Sequence, residues 1–285
     1  MDAVLLCMKK RGIRFFHRIT FNKTDIHKHR TKYSFLRELS KRTECYDNVL
    51  IMAHGANDAI IIPTGDFDQP WSKYIAGSDC NAFKNDFVFA VSCYTANSFG
   101  KKCIDAGSLC YLGYEVLIGS LFSVKELEKS TIPKRTTIAI DTIIKHIFIE
   151  ELARAYEEFL MTPINVLTLK ERFAFLLERR VAELPSMSSE ELFKKYNVRI
   201  NPQHIDKYIA AVVIKVLEFL SEISNHLVCI GDANYISSSF ISYAKATGTS
   251  RDEIIAYLIR NPSYQRLKNK EYKTFLLEKA SFLET

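Results

Sequence analysis

Val49-Leu50-Ile51-Met52-Ala53 is a run of five apolar residues with no polar alternation, and His54-Gly55 ends it. A strand with one face in water alternates apolar and polar residues, so an unbroken run fits a strand covered on both sides. Phe87-Val88-Phe89-Ala90-Val91 repeats the pattern and ends on Ser92-Cys93. Val4–Met8, Leu109–Leu112 and Val116–Leu121 read as further strands, as does Ala59-Ile60-Ile61-Ile62, which Pro63-Thr64-Gly65 stops. Between them lie two amphipathic stretches. Lys28–Thr43 puts Tyr33, Leu36 and Leu39 on one helical face, and Ala96–Ala106 is a helix stopped by Gly107. Strands alternating with helices over the first 122 residues predict an α/β fold with a mostly parallel sheet.

After Val124 the apolar period changes. Ile140, Ile143, Ile144, Ile147, Phe148, Leu152, Tyr156 and Phe159 recur at helical spacing, and so do residues from Ile205 to Leu227. Ser186-Met187-Ser188-Ser189-Glu190-Glu191 reads as a loop entering a capped helix. The expected organisation is an α/β domain over residues 1–185 followed by a helical region, 186–285, for a substrate, regulator or partner.

The chain has 285 residues, 47% hydrophobic and 25% charged, enough for a sizeable core of ordinary composition. No stretch of ~18 apolar residues is free of charge, so no membrane span is expected. Seven cysteines at irregular spacing, most of them in apolar runs, point to reduced thiols in the cytoplasm rather than a disulfide framework. The net charge is +6, with +8 in residues 1–45 and −2 in the remainder. Basic residues 9–42 can mark a nucleic-acid surface, but a solvated helix face is the preferred reading.

His54 and Cys93 are the candidate chemistry. They end two apolar strands, 39 positions apart. Ligands of open α/β sheets bind beyond the carboxyl ends of the strands. A free thiol is mostly protonated at neutral pH, and a neighbouring imidazole makes it a usable nucleophile. The backbone N–H groups of Gly55 and Cys93 can face a developing oxyanion. Ser92 and the small residues Thr95 and Ala96 leave room for a substrate backbone, and Thr95 or Asn97 is placed to cap the helix that follows. Taken alone, a cysteine ending a buried strand is a small core hydrophobe and a histidine there a satisfied polar residue. The pair in this order is what carries the reading.

A strand ending in His-Gly, then a strand ending in a small residue plus Cys, resembles the caspase-like clan CD cysteine peptidases of CHAT type. The stretch Ser98–Tyr114 is similar to their helix ending in Ala-Gly (Ala106-Gly107) followed by a strand ending in Gly plus an aromatic (Gly113-Tyr114). The likeness spans about residues 1–180 and is densest over 48–122. It implies a caspase-like three-layer sandwich, Cys93 as nucleophile, His54 as general base and acid, oxyanion N–H groups from Gly55 and Cys93, and peptide hydrolysis through an acyl-enzyme. No cofactor or metal is implied. It also implies a protein substrate, a regulatory or activating partner, and a role in regulated proteolysis such as bacterial antiviral defence or cell death.

One position departs from the family. Relatives that cut after Arg or Lys carry an acid two residues before the cysteine, and here that residue is Val91. Asp58, Asp66 or Asp68 would have to serve a basic-residue pocket; otherwise an apolar or small residue sits at the cut. Two other classes compete: a non-catalytic adaptor or pseudopeptidase binding protein or nucleic acid, and a glutamine amidotransferase. The latter places its nucleophile before its histidine, in a Gly-x-Cys-x-Gly elbow absent here. His226, Cys229 and Asp232 read as the end of a long helix before Gly231, and Trp71 and Tyr74 as a loop or short helix beside the cleft.

Overall fold

The computed structural model describes residues 3–7, 19–24, 26–41, 48–64, 70–117, 134–196, 213–214, 217–218, 222–223 and 225–282. The first strands are β1 (Ala3–Cys7), β2 (Ile26–His29) and β3 (Asn48–Met52), with helix α1 (Lys32–Ser40) before β3. A small hairpin unit follows: β4 (His54–Ala56), β5 (Ala59–Pro63) and β6 (Trp71–Ala76), then a 3-10 helix, Gly77–Phe83. Next come β7 (Phe87–Val91), α2 (Phe99–Asp105), β8 (Cys110–Tyr114), α3 (Lys134–Met161), α4 (Val166–Glu183) and α5 (Ser189–Tyr196). The described chain finishes with β9 (Leu227–Gly231), α6 (Ser239–Ala246), α7 (Arg251–Arg260), α8 (Pro262–Arg266) and α9 (Lys270–Ser281).

Six strands form the main sheet in the order β2-β1-β3-β7-β8-β9, all parallel except β9. β1, β3, β7 and β8 are buried along their whole length, as unbroken apolar runs require. Helices cover both faces. On one, rings run from Phe35 (α1) through Phe83 and Phe99 (α2) to Tyr111 on β8. Gly100 and Gly113 admit that Tyr111 ring, because a Cβ at either would stand 2.6 Å from it. On the other face, Phe159 of α3 packs on Phe87 and Tyr156 beside Phe89. Among the described residues, no helix is long and apolar enough to cross a membrane.

The ring stack continues from Phe87 to Tyr235 and Tyr272, with centroids 5.3 and 4.9 Å apart. There a buried polar cluster ties β3 to the C-terminal helices: Asn48 donates to Ser237 and Ser239 and accepts from the Tyr235 hydroxyl at 3.2 Å. Tyr235→Phe keeps the stack and removes that donor, so chemical denaturation is expected to show a loss of about 1–2 kcal/mol.

Several sequence expectations are corrected. The helix expected from Lys28 starts at Lys32, capped by Thr31, because Lys28 and His29 pair with β1 as an edge strand. Its buried face is Phe35 and Leu39, with Tyr33 exposed. The second helix starts at Phe99 rather than Ala96. Ala59–Pro63 lies outside the main sheet, in an antiparallel sheet with β4 and β6, and Trp71 and Tyr74 are on strand β6. Val116 and Leu117 are bend and loop, and the rest of the expected Val116–Leu121 strand falls outside the described residues. The stretch before Gly231 is strand β9, not a helix end; Gly231 has φ +95° beyond its pairing with Cys110. The sheet therefore draws its sixth strand from within residues 186–285. Most of the expected 205–227 helix, and much of the basic stretch 9–42, lies outside the described residues.

The expectations that hold include β7 at Phe87–Val91, the α3 periodicity, and the α5 entry, where Ser188 and Glu191 exchange hydrogen bonds reciprocally.

Candidate active site

The site grows from the β3–β7 pairing. These strands run parallel with Met52 opposite Val91, so His54 and Cys93 each stand two residues past the last paired position. Both chains leave the sheet at the same level, at its carboxyl edge. Ala53 still donates to the Val91 carbonyl, and the chain then enters the β4–β5 hairpin with His54 opposite Ile61.

Gly55 lies directly against the cysteine. A Cβ added there would stand 2.3 Å from the Cys93 carbonyl oxygen, 2.8 Å from its nitrogen and 2.7 Å from the Thr95 methyl. A glycine at this position is what lets the two backbones approach so closely.

A clamp of backbone bonds holds the turn after Cys93. Tyr94 N–H donates to Val116 and Ala96 N–H to Tyr114, both beyond or at the end of β8. The Asn57 carbonyl, from the β4–β5 turn, accepts the N–H groups of Ser98 and Phe99 at 3.1 and 2.7 Å. The Asn97 amide bridges the Asn57 side chain and the Glu115 carbonyl. Tyr94 takes φ +59°, a left-handed conformation that costs a bulky residue about 1–3 kcal/mol and that recurs at functional turns. These contacts correct the expected cap: no side chain caps α2, and its first N–H groups go to carbonyls, those of Ser98 and Phe99 to Asn57 and that of Gly100 to Thr95. With α2 starting six residues after Cys93, its dipole lies beyond the first turn that such effects reach.

The His54 ring meets the edge of Trp71 with centroids 4.9 Å apart. His54 is half-buried, and Cys93 is 7% exposed. Burial first, and then the charge of a Cys93 thiolate, hold the Tyr114 phenol above its usual range. Three large apolar side chains stand exposed on the segments joined here: Trp71, Tyr94 and Leu117.

The other expected site residues fall as follows. Ser92 is fully buried, its Oγ without a hydrogen-bond partner among the described residues. Asp58 sits in the β4–β5 turn and pairs with Lys73 of β6, whose hydrogen bond holds its carboxyl below the usual range. Asp66 and Asp68 lie outside the described residues. Among the described residues no group of three or more His, Cys, Asp or Glu is arranged to hold a metal ion. Asn57 and the β8 end were not legible as site elements, because their contribution is made by carbonyl groups that any residue supplies. A cavity of about 720 Å³ lies elsewhere, against α3 and α4, where Glu150 and Glu151 pair with Arg180.

Compared with models of known protein families, with curated proteins and with solved structures, the chain finds no match in any of the three.

Proposed function

We propose that this protein is a cysteine endopeptidase of the caspase-like, CHAT type, with Cys93 as nucleophile and His54 as general base and acid. His54 takes the thiol proton, and the thiolate attacks the scissile carbonyl. The N–H groups of Gly55 and Cys93 hold the oxyanion, and His54 returns the proton to the leaving amine. Water then hydrolyses the thioester. The observation that carries this reading is the equal exit of His54 and Cys93 from paired strands, with Gly55 packed on the cysteine backbone.

Among the described residues, the position two before Cys93 is the apolar Val91, and the one acid candidate, Asp58, is engaged by Lys73. Trp71, Tyr94 and Leu117 supply exposed apolar surface instead. An apolar residue at the cut therefore belongs to the proposal, together with a protein substrate, a regulatory partner and regulated proteolysis in the cytoplasm, including antiviral defence. The test is mass spectrometry of the products made from proteins encoded beside this gene. New termini that appear with the wild type and not with Cys93→Ala support the reading. Identical product sets would leave a non-catalytic adaptor in its place.

A further inference from the structure

Four of the described cysteines stand in two close pairs. Cys80 and Cys103 bring their sulfurs to 3.4 Å, and Cys110 and Cys229 to 3.5 Å. The first pair is sealed, at 1% and 0% exposure. In the second, Cys110 is fully buried on β8 while Cys229 on β9 is partly open to solvent. The pairing register explains why these two meet. Cys110 lies opposite Gly231 and Leu112 opposite Cys229, so the thiols are diagonal neighbours on one face. The residue facing Cys110 has no side chain to stand between them.

Their surroundings divide the roles. Cys229 is held below the usual thiol range by its hydrogen bond with Cys110, opposed by its own burial and by Asp232 and helped by the charges of Lys170 and Lys268. Burial, and then Cys229 itself, push the Cys110 thiol well up. A thiol that solvent reaches, hydrogen-bonded to a second thiol sealed in the core, is the arrangement of an attacking and a resolving cysteine.

We propose that Cys229 and Cys110 form a hydroperoxide-reactive dithiol that closes to a disulfide between β8 and β9. The Cys229 sulfur attacks the O–O bond of a hydroperoxide. That bond breaks, Cys229 becomes a sulfenic acid, and the other oxygen leaves as water or an alcohol after taking up a proton. The Cys110 sulfur then attacks the Cys229 sulfur, the S–O bond breaks, and the hydroxyl leaves as water with the Cys110 proton. Sulfur gives up two electrons and the peroxide is reduced. The bond ties β9 to β8, whose last residue, Tyr114, accepts the Ala96 N–H beside Cys93. The inference does not rest on the peptidase reading.

The test treats the full chain with hydrogen peroxide at neutral pH, blocks remaining thiols and maps peptides without reduction. The expected result is a Cys110–Cys229 linked peptide with two hydrogens lost, while Cys80 and Cys103 remain alkylatable. In Cys110→Ser, whose hydroxyl can still hydrogen-bond Cys229 but cannot close a disulfide, dimedone should label Cys229 at least roughly tenfold more than Cys80. In Cys229→Ser no linked peptide forms. Should either variant fail to fold, a wild-type time course decides: dimedone-labelled Cys229 must appear before the linked peptide. The proposal is overturned if Cys110 and Cys229 stay reduced under peroxide that oxidises glutathione in the same tube. It is equally overturned if Cys80–Cys103 links first.

Discussion

If Cys93 and His54 act as the proposed dyad, Cys93→Ala and His54→Ala should each lower kcat/KM for peptide cleavage by on the order of 10⁴-fold or more, with the fold retained. Members of a nucleophile–base pair act as a unit, so removing either costs nearly what removing both does. The double variant should therefore fall little below the singles. Stability should barely move, because Cys93 sits in a turn held by backbone bonds from Tyr94, Ala96, Ser98 and Phe99, none of which needs its sulfur. His54 is half-buried and gives up an edge contact with Trp71, a modest loss at a partly exposed position. Thermal melts within about 1 kcal/mol of wild type check that half of the expectation.

Gly55→Ala damages both stability and activity. The atoms its Cβ would meet at 2.3 and 2.8 Å are the carbonyl oxygen and nitrogen of Cys93. Backbone atoms cannot rotate aside as a side chain can, so the hairpin or the Cys93 turn must move. Overpacking of this kind costs about 3 kcal/mol, roughly 5–10 °C in Tm. For the proposed nucleophile, a shift of about 1 Å should cost a further ~10²-fold in rate. Gly248→Ala is the contrast. It has nothing within 4 Å and φ +86°, so only backbone strain of about 1 kcal/mol applies and activity stays.

The parallel core of the sheet was readable because β3 and β7 are unbroken apolar runs, which only a two-sided cover tolerates. The edges were not. β2 reads Ile-His-Lys-His, half exposed, and carries no apolar pattern, so its last residues merged into the helix after it. β9 is a short apolar run behind a helical-period stretch, and periodicity alone does not separate such a run from a helix end. β6 alternates exposed and covered residues, but Lys73 and Trp71 on its open face hid a strand signal. At the site, the strand-end positions of His54 and Cys93 were legible from sequence. The clamp around them was not, since the Asn57, Tyr114 and Val116 carbonyls are brought there by tertiary packing.

The measurement closest to the central claim is the rate at which an iodoacetamide-type electrophile labels each cysteine at neutral pH, followed by mass spectrometry. Cys229, partly open and paired with Cys110 rather than with a histidine, serves as the reference within the same chain. A Cys93–His54 dyad predicts rapid labelling of Cys93 that falls at least roughly tenfold in His54→Ala while the Cys229 rate is unchanged. A Cys93 that labels equally with and without His54, or not at all, contradicts it.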